Sequence, residues 1–157
     1  MAKRDSSKAL AQAKKIVDPW FKSQALAWVA RYSEDACLKV AGQAAKSAGE
    51  CDDEYKRVAV RSWEIAALAE RNFFVEAKIA LRAAVIESKS VTPHSSRAEA
   101  LILLLQAALI MGEKDAVMVA DELKKSCGKD SHWRCKRAVQ DSEKLMQGQV
   151  KPRSFFR

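Results

Sequence analysis

Seven basic residues have the types and spacing best suited to chemistry. Lys22, Lys56, Arg97 and Arg134 recur at intervals of 34, 41 and 37 residues, with Arg57, Arg61 and Arg137 close by. Bases gathered on one face grip carboxylates or phosphates through charge-assisted hydrogen bonds. These seven are the candidate partner-binding residues, and a protein or an acidic peptide is the expected partner. The competing reading is that each base pairs with a nearby acid such as Asp18, Asp53, Glu54 or Glu99 and keys one helix to the next. Rings accompany three of the bases, as Phe21 beside Lys22, Tyr55 beside Lys56 and Trp133 beside Arg134. At a fixed helical phase such rings are expected as core wedges, with stacking of nucleobases as the alternative.

Other chemistry finds little material. The chain has two histidines, His94 and His132, and no glycine-rich phosphate loop. His94 follows Pro93 with no nucleophile in its segment, so an exposed first-turn residue is expected there. Cys127, His132 and Cys135 resemble a metal cluster, but a structural zinc site needs four ligands and this segment offers three. Cys135 is expected in the core and Cys127 at the surface. No catalytic residue, no metal and no cofactor is expected, and the chain reads as a non-enzyme.

These residues need elements to position them, and composition narrows the choice. The 157 residues fit one domain able to bury a core without disulfides. They are 48% hydrophobic and 31% charged, with only 5 Gly and 3 Pro, which argues against disorder and against a many-stranded β protein. The apolar run Leu101–Leu105 is far short of the roughly 18 to 20 residues a membrane span needs. The polar opening residues lack a signal-peptide core, so a cytoplasmic location with reduced thiols is expected. The formal net charge of +8 is uneven. Residues 1–15 hold five bases, Lys3 among them, against one acid, and residues 124–157 hold ten against three. Basic ends on a mildly acidic body make nucleic-acid binding through the termini the alternative function.

The scarce Gly and Pro punctuate the chain. Asp18-Pro19 and Thr92-Pro93 each offer an N-cap with Pro at the first helical position. Ser33, Asp52-Asp53 and Asp130-Ser131 supply further helix starts. Gly49, Gly112, Gly128 and Gly148 stand where left-handed C-caps are expected. Helices follow near 6–16, 19–32, 34–48, 53–71, 74–89, 93–111, 113–126 and 131–147, with no strand. Leu101–Leu105 is apolar all round, which places that helix in the middle of the stack.

An internal repeat organises the helices. The segments 18–26, 52–60 and 93–101 each run from a helix-start residue through a base to Ala and Leu or Val, and 131–139 is a looser copy. Small Ala at fixed places lets helices approach closely while larger apolar residues fill the grooves. The expected fold is all-α, a right-handed α-α superhelix of three to four stacked hairpins. Residues 1–17 form a basic N-terminal capping helix, 18–147 the repeat domain and 148–157 a basic flexible tail. The tail's Phe155 and Phe156 read either as a docking peptide or as a segment folded back on the body. Residues 71–77 and 112–116 look like the turn and second-helix start of a tetratricopeptide repeat, and Asp18-Pro19 with Lys22 and Ala25-Leu26 is similar to a HEAT first helix. The chain thus resembles the tetratricopeptide and HEAT-like helical repeats over roughly 18–147. The resemblance implies a binding module using the concave face of its first helices. With both ends polar, a monomer or weak homodimer is expected.

Overall fold

In the computed structural model, residues 4–157 are described; Lys3, counted among the N-terminal bases, lies outside them. The helices are α1 (Ser6–Lys14), α2 (Pro19–Tyr32), α3 (Cys37–Gly49), α4 (Glu54–Ala59), α5 (Arg61–Glu70), α6 (Phe74–Glu87), α7 (His94–Met111), α8 (Glu113–Cys127) and α9 (Trp133–Met146), with a 3-10 turn at Ser88–Ser90. No strand occurs among the described residues. The all-helical expectation holds, and none of these helices is long and apolar enough to cross a membrane.

Capping chemistry sets several starts. The Asp18 carboxylate accepts from the Trp20 and Phe21 amides, Asp53 accepts from the Lys56 amide, and Asp5 accepts from the Lys8 amide. Other boundaries differ from expectation. Ser33 ends α2, its hydroxyl donating to the Val29 carbonyl, and α3 starts only at Cys37. The Thr92–Pro93 peptide is cis, Pro93 itself takes the cap position, and α7 starts at His94. The expected helix 53–71 breaks at buried Val60 into α4 and α5.

Of the four expected glycine caps two take positive φ, Gly112 (φ 147°) ending α7 and Gly148 (φ 69°) after α9, the latter with Gln149 N–H donating to the Lys144 carbonyl at 2.9 Å as the closing bond. Asn72 (φ 63°) makes the same turn after α5, closed by Phe73 N–H to the Leu68 carbonyl. Gly128 stays right-handed and serves differently, since a Cβ there would stand 2.5 Å from the Lys124 carbonyl oxygen.

Alanine governs the packing. Ser23 Oγ donates to the Ala44 carbonyl and Ser47 Oγ to the Pro19 carbonyl, so α2 and α3 run antiparallel with Ala27, Ala30, Ala41, Ala44 and Ala48 buried. Small side chains let backbones come close enough for those hydroxyls to reach across. α7 and α8 pack as a second hairpin joined at Gly112, and α5 and α6 as a third. α2, α5, α7 and α9 pack successively against one another. Trp20 meets Trp63 and Arg31 pairs with Glu70, so α2 and α5 run the same way; Arg134 reaches Glu99 near the starts of α9 and α7. These four, with α4, are called the first helices. α5 is buried from Ser62 to Ala69. α7 packs against α4, α5, α6, α8 and α9, so the helix carrying Leu101–Leu105 is covered on more than one side as expected, with only Ile102 and Leu103 of that run partly exposed.

Candidate functional site

The first helices present one face rich in rings. α2 contributes Trp20, Trp28 and Tyr32, α4 contributes Tyr55, and α5 contributes Trp63. Trp20 stacks on Tyr55 at 6.4 Å and meets Trp63 edge-on at 6.0 Å, while Trp28 lies 6.0 Å from Tyr32. On α7 the stripe Glu99, Ile102, Leu103 and Gln106 has the spacing of a single helical face. α9 adds Trp133, Arg134 and Arg137.

One half of this face is open. Tyr55, Ile102, Leu103, Trp133, Arg134 and Arg137 line a cavity of about 350 Å³ between α4, α7 and α9. Tyr55 also borders a recess of about 280 Å³ with Trp20, Phe21 and Lys56. Phe21 is 59% exposed and Trp133 61%, which corrects the expectation of core wedges at both positions. Only Tyr55, half-buried against Trp20, behaves partly as one. Its hydroxyl is pushed up by burial and then by the charges of Glu99 and Asp53, so it stays a neutral donor.

The other half is filled by the chain itself. After the turn at Gly148, Arg153 N–H donates to Gln106 Oε1 at 2.8 Å, and the Arg153 guanidinium lies 5.0 Å over the Trp63 ring. Phe155 meets Trp63 edge-on at 5.4 Å and Phe156 meets Trp28 likewise at 5.4 Å. The Tyr32 hydroxyl donates to the Phe156 carbonyl at 3.1 Å. Both phenylalanines are 4% exposed, so the flexible tail expected over 148–157 is corrected: it folds back and is pinned by its rings.

The seven candidate bases divide by partner. Arg57 Nε donates to the Cys51 carbonyl, and Arg97 reaches the Val91 and Lys89 carbonyls. Each reaches back six residues to fasten the loop before its helix, so Arg57 rather than Lys56 is the counterpart of Arg97. Arg61 is held by both oxygens of buried Glu64 at 3.0 and 3.1 Å. Burial pushes the Glu64 carboxyl up, with Arg61 opposing. That pair lies beneath a different, apolar cavity of about 340 Å³ beside Leu38, Leu68 and Ile79, on the α3 and α6 side. There α6 leaves Val75, Ile79 and Ile86 exposed. Lys56 pairs with Asp52 at 2.9 Å, and its hydrogen bond lowers that carboxyl. Arg134 and Arg137 meet Glu99 and Asp141 only at 3.7 Å, in exposed pairs, and Lys22 has no ion pair among the described residues. Of the seven, the structure brings Arg134 and Arg137 together in the open cavity, with Lys56 in the neighbouring recess.

Trp28, Tyr32, Trp63 and Gln106 were not singled out from the sequence. The available signal was the i, i+8, i+12 spacing of Trp20, Trp28 and Tyr32, which runs as one stripe along α2. The metal-like cluster loses its histidine: Cys127 and Cys135 keep their thiols together and Cys127 Sγ lies 3.5 Å from the His94 carbonyl, but His132 Nδ1 accepts from the Arg134 amide to cap α9. Cys127 is buried rather than at the surface, its thiol pushed up to about 12 by burial and by Cys135. Exposed His94 instead faces Asp130 at 3.1 Å. No group of three His, Cys, Asp or Glu side chains placed to hold a metal ion occurs among the described residues. No family model, curated protein or solved structure matches the chain.

Proposed function

We propose that this chain is a non-catalytic helical-repeat module, an α-α superhelix of three to four hairpins, whose first-helix face binds an acidic peptide segment of a partner protein. The observation that carries this is the open cavity, where an exposed ring and a half-buried one, Trp133 and Tyr55, flank the apolar Ile102 and Leu103 beside two loosely held guanidiniums. Covering such a floor removes apolar surface from water, and rings with a polar edge suit recognition. Exposed ion pairs are worth only about 0 to 1 kcal/mol, so Arg134 and Arg137 exchange Glu99 and Asp141 for ligand carboxylates at little cost. The order of helix contacts supports the superhelical reading, with hairpins α2–α3, α5–α6 and α7–α8 in succession and first helices adjacent.

A nucleic-acid role for the ends has less to draw on. Within the basic C-terminal end, Arg153 is tied down, its guanidinium lying over Trp63 and its N–H donating to Gln106. The test is calorimetric titration of the full chain with a synthetic peptide of Asp and Glu around one central Phe, at low and at high salt. Binding is expected, weakening with salt and falling about tenfold or more in Trp133→Ala, the loss typical of an aromatic anchor. No binding at low salt, or binding indifferent to Trp133→Ala, overturns the proposal.

A further inference from the structure

The first-helix face already carries one peptide, the chain's own. Residues 151–154 have no regular structure and are exposed. The segment is held as bound peptides are, by two rings in aromatic seats and by main-chain bonds from Arg153 N–H to Gln106 and from Tyr32 Oη to the Phe156 carbonyl. The seats are assembled by the helices themselves, because Trp20 buttresses Trp63 and Trp28 lies against Tyr32 without help from the segment. The stripe on α7 joins the two halves of the face: Glu99, Ile102 and Leu103 line the open cavity, and Gln106 on the same side binds Arg153.

Charge separates this resident segment from a better ligand. Residues 148–157 contain Lys151, Arg153 and Arg157 and no acid. They therefore give no side-chain carboxylate to Arg134 and Arg137, which make do with distant Glu99 and Asp141. We propose that the seat of Phe155 and Phe156 is an exchangeable peptide site, held in the free protein by residues 151–157 and taken over by a partner segment with two adjacent aromatic residues preceded by acidic ones. The aromatic pair replaces Phe155 and Phe156 against Trp63 and Trp28, while the acids run back over α7 toward Arg134 and Arg137. This rests on the peptide-binding reading above and adds the ligand's second half and the competition for it.

The test uses the full chain and the synthetic peptide Asp-Glu-Pro-Glu-Ser-Phe-Phe-Gly, with a version carrying Ala-Ala for Phe-Phe as control. A site blocked by its own segment shows an affinity reduced by the fraction of molecules in which it is free, so the Phe155→Ala/Phe156→Ala variant is expected to bind the aromatic peptide about tenfold or more tighter than wild type. The Ala-Ala peptide is expected to lose that gain. Equal affinity of wild type and variant overturns exchange, and if Trp133→Ala still weakens that binding the open-groove reading stands alone. Absence of binding to both also overturns exchange, and titration with the acidic peptide that carries one central Phe then decides the open groove separately. Should the double variant fail to fold, Ser154→Cys with a fluorophore on the new thiol reports release from beside Trp63. A rise in emission with the aromatic peptide is expected, and unchanged emission at saturating peptide overturns the proposal.

Discussion

Two halves of one face are built from the same kinds of residue and meet opposite fates. Around Trp28, Tyr32 and Trp63 the rings are covered by Phe155 and Phe156, while around Phe21 and Trp133 they face water. A second contrast lies between faces. On the α3 and α6 side Arg61 and Glu64 are locked together at 3.0 Å, whereas on the first-helix face Arg134 and Glu99 stand 3.7 Å apart in solvent. An aromatic stripe on a helix thus becomes core only where some segment arrives to cover it, and where none does it remains a surface with unrealised binding energy.

The comparison breaks most visibly in stability. Trp63→Ala is expected to cost about 3 to 5 kcal/mol and Phe156→Ala about 3, as for other buried rings. Trp133→Ala and Phe21→Ala are expected to stay within about 0.5 kcal/mol, as surface substitutions do. Urea denaturation of the four variants checks this, and similar losses in both halves contradict the division.

The ion pairs give the next contrast. Glu64→Ala strands a largely buried guanidinium and is expected to cost about 3 kcal/mol, against about 0 to 1 for Glu99→Ala. The Glu64 carboxyl is raised by burial, so the folded chain holds its proton more tightly than the unfolded chain does. Its stabilising share is therefore full below the ordinary glutamate range and is lost as pH rises through the folded value. Glu64→Gln, which does not titrate, is accordingly expected to fall further below wild type in stability at pH 4 than at pH 7, and the opposite order in chemical melts refutes that sign.

The smallest effect concerns the thiols. All four cysteines are buried and unpaired by disulfides, and Cys127 is pushed up to about 12. At pH 8 Ellman's reagent is expected to label none of them in the native protein and all four after unfolding. Rapid labelling of native Cys127 removes the basis for its place in the core.

What the sequence disclosed follows from locality. The caps at Asp18 and Asp53 were legible because a carboxylate and the amides it accepts from lie within three residues. The all-helical class was legible from periodicity and scarce turn residues. The left-handed turn at Asn72 was legible only as the gap between the helices expected at 53–71 and 74–89, since asparagine advertises this conformation less clearly than glycine. The fate of residues 148–157 was legible only as two alternatives, a docking peptide or a segment folded back on the body. It depends on Trp28, Trp63 and Gln106 meeting on one face, and those residues are brought together from α2, α5 and α7 only by folding. The bases could not be ranked for the same reason: nothing in the sequence distinguishes Arg97, tied to its own loop, from Arg134, loosely paired across helices.

The most direct measurement is amide chemical-shift mapping of the full chain with the acidic peptide that carries one Phe. The expected result is perturbation centred on Tyr55, Ile102, Leu103, Trp133, Arg134 and Arg137. Perturbation confined to Val75, Ile79 and Ile86 on α6, or none at all at low salt, contradicts the assignment of the first-helix face as the peptide-binding surface.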